Sequence, residues 1–239
     1  MSKGFTKYRE WGAYHWRELY AHPLHGWPYT RSRIEWVVRQ CVGSRTVLEI
    51  GCGDGALLGR LAKAGKAVVG VDADETGLRL AREMFERHGL KGDFYADLAR
   101  VEGSKFDAVI LAEVIEHLEN PDGVLAGAAR RLSAGGRLVL TTPIRLLERS
   151  PDAHHVHEFW PGEVVAVVGK HFADVQLTRM HPVWLVDLMC FGVGRIRPAA
   201  VLANFVRLAT GIEFLDRATS PTSLYWTQGV VATGPRVSA

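Results

Sequence analysis

Thr46-Val47-Leu48-Glu49-Ile50-Gly51-Cys52-Gly53-Asp54-Gly55-Ala56 is the stretch that decides the fold. Four apolar or β-branched residues lead into three glycines at alternate positions, the pattern of a buried strand that ends in a tight turn and opens a helix. Glycines there let a ligand approach the backbone closely. Glu49 stands near the strand end and Asp54 within the turn, both close to the helix N-terminus where a pyrophosphate would dock, so a dinucleotide would meet two carboxylates. Gly51-Cys52-Gly53-Asp54-Gly55-Ala56 also fits the dinucleotide pattern G-x-G-x-x-G/A, which alone is a weak signal. Charge argues against that fit.

A ligand with a ribose and an adenine but no phosphate, bearing an ammonium and a sulfonium that carboxylates attract, satisfies the same turn. S-adenosylmethionine (SAM) has that composition. Working outward, Gly55 to Lys63 reads as a helix and Ala67-Val68-Val69-Gly70-Val71 as a second apolar strand, a βαβ unit that implies a parallel sheet. Asp72 ends this strand about twenty residues beyond Gly51, where an acid accepts hydrogen bonds from ribose hydroxyls. The competing role, capping the helix from Glu75 to His88, falls more naturally to Asp74. Asp93 to Ala96 reads as the third strand and Phe106 to Ala112 as an apolar, central fourth. A helix starting at Pro121 is expected to end at Ser133-Ala134-Gly135-Gly136, before a fifth strand from Arg137 to Thr142.

Glu49-Ile50-Gly51-Cys52-Gly53-Asp54-Gly55, then Val69-Gly70-Val71-Asp72, then Phe106-Asp107-Ala108-Val109-Ile110 resemble, in order and interval, the signature series of class I SAM-dependent methyltransferases. The resemblance spans roughly residues 31 to 180 and extends to the ubiquinone-pathway O-methyltransferases. It implies an α/β fold: a Rossmann-like, doubly wound seven-stranded sheet, mostly parallel with one antiparallel strand, and helices on both faces. It also implies a cofactor site. Glu49, Gly51, Cys52 and Gly53 would form the turn, and Asp72 and Ala73 would hold the ribose. Asp97 would bond the adenine amino group and Leu98 supply a backbone amide, with Ala112 and Glu113 at the end of the fourth strand. Arg31, whose neighbour is Arg33, matches by distance an arginine that meets the SAM carboxylate. Local alternatives stand beside two of these roles: an Asx-turn for Asp97 and a solvated helix-start for Arg31.

Methyl transfer requires alignment of the partners and removal of one proton. Glu113, Glu116 and His117 follow the fourth strand at i, i+3, i+4, which on a helical turn points all three the same way and makes His117 the natural base. A second cluster, Asp152-Ala153-His154-His155-Val156-His157-Glu158-Phe159-Trp160, follows the fifth strand and is expected over the same face, with His155 as the second catalytic candidate. Glu113, Glu116, His117 and His155 together make an oxygen and nitrogen set for Mg²⁺, Mn²⁺ or Zn²⁺. The metal set is supported by resemblance to small-RNA 3′-terminal ribose methyltransferases, which hold a metal with an E-x-x-E-H segment and a later histidine, and to some ubiquinone-pathway enzymes; position relative to the following Glu-Phe-Trp selects His155. Without a metal, Glu116 would bond a backbone amide and His155 would cap the helix at Pro161.

The rest of the chain bounds these readings. With 239 residues, 47% hydrophobic and 23% charged, the composition is that of a soluble globular protein with a sizeable core. A net charge of +3 does not argue for nucleic acid, and three separated cysteines indicate neither a disulfide framework nor a zinc knuckle. A cytoplasmic location is expected, since Met1-Ser2-Lys3-Gly4 leads into no apolar signal segment. Residues 1–45 read as an aromatic and histidine-rich helical cap broken at Pro23 and Pro28, with His22 and His25 on either side of the first break and a second helix from Arg31 to Val42. Residues 46–180 read as the SAM-binding core, 181–222 as an apolar helical insertion, and 223–239 as a last strand and tail. Ala173 to Arg179 and Ser223 to Ala232 are the remaining expected strands. In the insertion, Val201, Leu202, Phe205, Leu208 and Ala209 share a helical face. Phe191, Arg195, Phe214 and Arg217 belong to the same segment, which reads as a packed helix, a lid, a homodimer contact or a foot on a membrane. Methylation of a hydroxyl oxygen on a small apolar or aromatic metabolite is the expected function. A metal-assisted RNA 2′-O-methyltransferase and a non-catalytic SAM-binding partner protein are the alternatives.

Overall fold

β1 (Thr46–Ile50) pairs in parallel with β2 (Ala67–Val71) on one side and β4 (Phe106–Ala112) on the other. A computed structural model describes this arrangement for residues 7–20, 24, 26–101, 103–148, 150, 152–190, 197–212, 215 and 218–236. β3 (Asp93–Tyr95) continues the sheet beyond β2, while β5 (Leu132–Pro143), β6 (Phe172–Pro182) and β7 (Tyr225–Pro235) continue it beyond β4. The resulting order is β3-β2-β1-β4-β5-β7-β6, with β7 antiparallel to both neighbours. This is the expected doubly wound, seven-stranded sheet with a single antiparallel strand.

Alternation along the central strands explains why both faces are covered. Val47, Ala108, Ile110 and Val139 point into one apolar cluster and Leu48, Val109, Leu111 and Leu138 into the other, all of them fully buried. The first cluster is closed by α2 (Tyr14–Tyr20), α3 (Pro28–Gln40), α4 (Ala56–Lys63) and α5 (Glu75–Arg87). α6 (Asp122–Arg131) and α7 (Pro161–Gly169) close the second. Ahead of α2 stands the short helix Lys7–Trp11, and α8 (Val183–Cys190) and α9 (Pro198–Thr210) make up the insertion before β7. Asp74 caps α5 as expected, its Oδ1 accepting the Thr76 amide at 2.8 Å.

Several boundaries differ from the sequence reading. α3 begins at Pro28 and not at Arg31, because proline at the first helical position gives up an amide that has no partner there anyway. Ser133-Ala134-Gly135-Gly136 opens β5 and does not end α6: the register jumps from Leu132 opposite Phe106 to Arg137 opposite Ala108, and Gly135 supplies the kink with φ 75°. β6 and β7 are longer than their apolar runs, since they pair with each other from Phe172–Pro235 to Pro182–Tyr225. His22, His25, Pro23, Phe191, Arg195, Phe214, Arg217 and Met1 to Gly4 lie outside the described residues. No helix among the described residues is long and apolar enough to cross a membrane.

Extension of β6 leaves His181 inside the sheet, fully buried with φ 61°. Its Nδ1 lies 3.0 Å from Thr227 Oγ1 and its Nε2 3.1 Å from Ser32 Oγ, while the Tyr29 hydroxyl meets Thr227 Oγ1 at 2.8 Å. Burial, and then the nearby Arg33 cation, push His181 down from 6.5 to about 3. Above pH 6.5 the folded and unfolded chains are both neutral at this residue. Below it the unfolded chain takes up a proton that the folded chain refuses, so stability should fall between about pH 6.5 and about 3 with a slope of up to about 1.4 kcal/mol per pH unit. Urea unfolding at pH 7 and pH 4.5 tests this: His181→Asn, chosen because asparagine tolerates the left-handed backbone, should lose clearly less stability on acidification than the parent.

Candidate active site

The crevice lies where the sheet order reverses, beyond the carboxyl ends of β1 and β4, the usual ligand position in such sheets. The turn after β1 is closed by backbone: Gly51 and Cys52 amides donate to the Val71 carbonyl at 2.7 and 3.1 Å. The Gly53 amide donates to Asp72 Oδ2 at 2.7 Å and the Asp74 amide to Asp72 Oδ1 at 2.8 Å. Each carboxylate oxygen of Asp72 keeps lone pairs for a further donor. Burial nevertheless pushes Asp72 upward, against the pull of those two amides. Glu49 is also buried, with Oε2 lacking a partner among the described residues, and burial followed by the charges of Asp54 and Asp72 pushes its carboxyl well up.

These residues line one end of a cavity of about 1200 Å³, more than a single small-molecule ligand needs. Gly51, Cys52, Ala73, Asp97, Leu98, Ala112 and Glu113 line it too. Gly53 sits behind the wall, its amide on Asp72 and the Tyr8 hydroxyl over its Cα. Asp97 makes the Asx-turn foreseen as its local alternative, accepting the Ala99 amide at 2.8 Å, while remaining at the cavity. Asp54 serves the cap: its Oδ2 accepts the His15 amide at 3.1 Å and its carbonyl accepts the Trp16 indole N–H at 2.6 Å.

The other end is built from the segments after β4 and β5. Glu113 has φ 57°, and a 3₁₀ turn covers Ile115–His117, so Glu113, Glu116 and His117 do not share one face as the helical spacing implied. Glu113 Oε2 turns instead to Arg33 Nη1 at 2.7 Å. Glu116 is fully buried; Oε2 accepts from the Thr142 hydroxyl at 3.0 Å, and Oε1 has no partner among the described residues. Burial, then the charge of Glu113, pushes Glu116 well above the usual carboxylate range. Its backbone carbonyl accepts the amides of Val156 and His157 at 2.7 and 3.1 Å, which ties the second histidine segment to the first.

That tie brings His155 and His117 to 5.0 Å between ring centroids, and both line the cavity. His117 Nδ1 is 2.9 Å from the His154 carbonyl, which can only accept, so the proton is on Nδ1 and the lone pair on Nε2. His155 Nδ1 donates to Glu158 Oε1 at 2.8 Å, and its Nε2 lies 3.8 Å from Asp152 Oδ2. Burial lowers His117, partly offset by the His154 carbonyl. Glu116, His117 and His155 each offer a ligand atom within 4.8 Å of the others. Glu113 is outside this group, so the four-residue metal set read from the sequence contracts to three.

Arg31 departs most from expectation. It is buried and donates through Nη2 to Asn204 Oδ1 of α9, away from the cavity wall. Arg33, two residues along α3, lines the cavity in its place. Burial would lower its guanidinium, but Glu113 and Tyr29 carry it upward overall. Sequence reasoning missed Tyr8, Tyr14, Tyr29, Trp226 and Glu158 as cavity residues. Glu158 stood inside the quoted histidine cluster and was legible as a carboxylate three residues from His155. Trp226 lay in an expected strand with no local signal at all.

Residues 48–140 match the family model described as a methyltransferase domain. Curated relatives include a ubiquinone biosynthesis O-methyltransferase of Dechloromonas aromatica (strain RCB), 33% identical over 127 residues that make up 51% of this chain and 53% of the relative. One from Pseudomonas paraeruginosa is 31% identical over 149 residues, 59% of this chain and 62% of the relative. The chain spans about half the length of the curated relatives it matches. Among solved structures, Haemonchus contortus phosphoethanolamine N-methyltransferase 2 in complex with S-adenosyl-L-methionine aligns with a TM-score of 0.66 at 16% identity, covering 97% of this chain and 58% of the other. Magnesium protoporphyrin IX methyltransferase from Synechocystis PCC 6803 with bound SAH aligns with a TM-score of 0.58 at 18% identity, covering 95% and 96%. Residues 48–140 are therefore similar to a methyltransferase domain, and the chain has the fold of these solved methyltransferases.

Arg33 and Glu113 are a mostly buried pair, with side chains 13% and 19% exposed. Removing one partner of such a pair strands the other charge. Arg33→Met should cost about 2–4 kcal/mol in urea unfolding, and adding Glu113→Gln should recover at least half of that. Additive losses in the double variant would show that the two groups do not interact.

Proposed function

We propose that this chain is a SAM-dependent methyltransferase that moves a methyl group onto a hydroxyl oxygen of a small aromatic metabolite. The observation that carries this reading is a single cavity with carboxylates and a glycine turn at one end and two oriented imidazoles at the other. Asp72 takes the ribose hydroxyls, and Asp97 with the Leu98 amide takes the adenine. Glu49 attracts the cationic methionine end, and Arg33, in place of Arg31, meets its carboxylate as a planar two-pronged donor.

The acceptor hydroxyl lies between the sulfonium and the imidazoles. Its oxygen attacks the methyl carbon as the carbon–sulfur bond breaks, the electron pair stays on sulfur, and S-adenosylhomocysteine (SAH) leaves. The hydroxyl proton passes to Nε2 of His117, whose depressed basicity keeps it unprotonated and ready near neutral pH. His155, held by Glu158, faces it as the second nitrogen. Trp27, Tyr29, Pro143 and Trp226 line the same cavity and favour a flat ring over a charged polymer.

Glu116, His117 and His155 would also hold a divalent cation. The orphaned Glu116 Oε1 and the two Nε2 lone pairs suit Mg²⁺, Mn²⁺ or Zn²⁺, and the Nδ1 bonds orient both rings as second partners of metal ligands do. Bound there, the ion would occupy the lone pair that His117 otherwise offers the proton and would supply positive charge that favours the deprotonated hydroxyl, whose proton would then leave to water.

Calorimetry with SAH is expected to show binding that weakens by about tenfold or more in Asp72→Ala, whose lost carboxylate is the strongest ribose acceptor in the site. With labelled SAM, ring hydroxyl compounds should take up the methyl group; label entering RNA and no ring compound would replace this reading with the RNA one. EDTA should abolish turnover, with Mg²⁺ or Mn²⁺ restoring it. Unchanged rates after chelation would remove the metal and leave the imidazoles as the bases.

A further inference from the structure

The insertion has a small core of its own, and that core stands directly behind the cavity. Leu185, Val186 and Met189 of α8 pack with Ala200 and Ala203 of α9 and with Leu215. Trp27, Tyr29 and Trp226 are packed against the outside of this cluster. The same three aromatics are in the wall of the cavity. Trp27 and Tyr29 stand at the start of α3 and Trp226 near the start of β7, so nothing local in the chain brings Trp226 beside the other two. The α8–α9 unit is what they share.

One residue fastens that unit to the rest. Asn204 is fully buried in the middle of α9, a poor place for an amide on both helix-propensity and desolvation grounds. It is satisfied across the interface: its side-chain N–H groups donate to the carbonyls of Leu24 at 2.9 Å and Gly26 at 3.0 Å, and its Oδ1 accepts from Arg31. These three bonds hold α9 to the chain on either side of Trp27. The Arg197 guanidinium, at the start of α9, lies 4.6 Å over the Trp27 ring. From behind, the buried Thr227–His181–Ser32 chain fixes the Tyr29 hydroxyl. A buried polar network that is fully satisfied specifies one arrangement of its neighbours.

We infer that the α8–α9 insertion is the back of the acceptor subsite, that Trp27, Tyr29 and Trp226 form an aromatic wall against which the ring of the acceptor lies, and that Asn204 is the positioning residue which sets that wall. The inference rests on the methyl-transfer reading for the identity of the second ligand. It assigns to Arg31 a place in the acceptor half of the molecule, not in the cofactor half. Apart from Arg33 of α3, the cofactor end is built on β1, β2 and β4 and does not lean on the insertion, so the two halves should respond separately to substitution.

Calorimetry with two ligands separates them. SAH is titrated into the protein, and 4-nitrocatechol, a flat ring hydroxyl compound, is then titrated into the SAH-saturated protein. Trp226→Leu and Asn204→Ala should each weaken 4-nitrocatechol by about tenfold or more while SAH affinity stays within about twofold. Asn204→Asp, which keeps an acceptor for Arg31 and loses the two donors, should fall between the parent and the alanine variant. Circular dichroism checks that each variant is folded; if Asn204→Ala is not, Trp226→Leu and Trp27→Leu decide. The proposal is overturned if the wall variants leave 4-nitrocatechol affinity unchanged, or if SAH affinity falls in step with it. Binding of SAH with no binding of 4-nitrocatechol in the parent protein overturns the wall and spares the cofactor assignment, whereas failure to bind SAH sinks the methyl-transfer reading itself.

Discussion

The turn between β1 and α4 has room for no side chain at its glycines, and the molecule is built around that fact. Gly51, Gly53 and Gly55 all have left-handed backbone, with φ of 79°, 51° and 72°. A Cβ at Gly51 would come within 2.5 Å of Val114, and one at Gly53 within 1.8 Å of the Tyr8 hydroxyl. The segment after β4 thus packs on one glycine and the N-terminal cap on the other. With no side chains in the way, the Gly53 amide also reaches Asp72, so the turn orients the carboxylate at the end of β2. Strand order, cap and acid are all referred to one short piece of backbone.

Around this turn the protein buries more carboxylate than a core built for stability would tolerate. Glu49 and Glu116 are buried, Asp72 is half-buried, and each is pushed toward the neutral form by burial before any other influence. Glu49 and Glu116 each keep one oxygen without a partner among the described residues. Unsatisfied buried acids cost stability and persist at sites that a ligand completes. The cost is contained because the acids are divided. Arg33 takes Glu113, Thr142 takes one oxygen of Glu116, and backbone amides take Asp72. Glu49 and Asp72 line one end of the cavity, and Glu116 is buried beside the two histidines that line the other, a polarity that suits a cationic nucleotide beside a hydroxyl losing its proton.

Closure of the cavity depends on bonds between distant segments. Asp54 binds α2 through the His15 amide and the Trp16 indole. Lys7, at the start of the cap, reaches Asp152 of the second histidine segment at 2.8 Å and holds its carboxyl down at about 2, against the upward pull of burial. Glu116 anchors that segment again through its backbone carbonyl. The insertion closes the remaining side through Asn204. Cap, histidine segment and insertion are therefore separate pieces that converge on one space.

How much was legible in the sequence follows from the range of each interaction. The glycine turn, the acid ending β2, the cap of α5 by Asp74 and the apolar alternation of β1 and β4 are consequences of neighbours within a few residues, and the sequence alone determined them, while the full sheet order followed from the resemblance those motifs carry. The pairing of His117 with His155 was anticipated as a cluster, but the orientation of its rings was settled by the His154 carbonyl and Glu158, and the loss of Glu113 from it by a left-handed residue at 113 and an ion pair to α3. Arg31 and Arg33 are indistinguishable by spacing. Which one faces the cavity depends on where α3 starts and on an asparagine 173 positions away. The extra length of β6 and β7 came from their pairing with each other, and the aromatic wall from the packing of Trp27, Tyr29 and the distant Trp226 on α8 and α9. Local sequence encodes backbone conformation and periodicity; partners drawn from remote parts of the chain are chosen by burial and hydrogen-bond satisfaction, which exist only once the chain has folded.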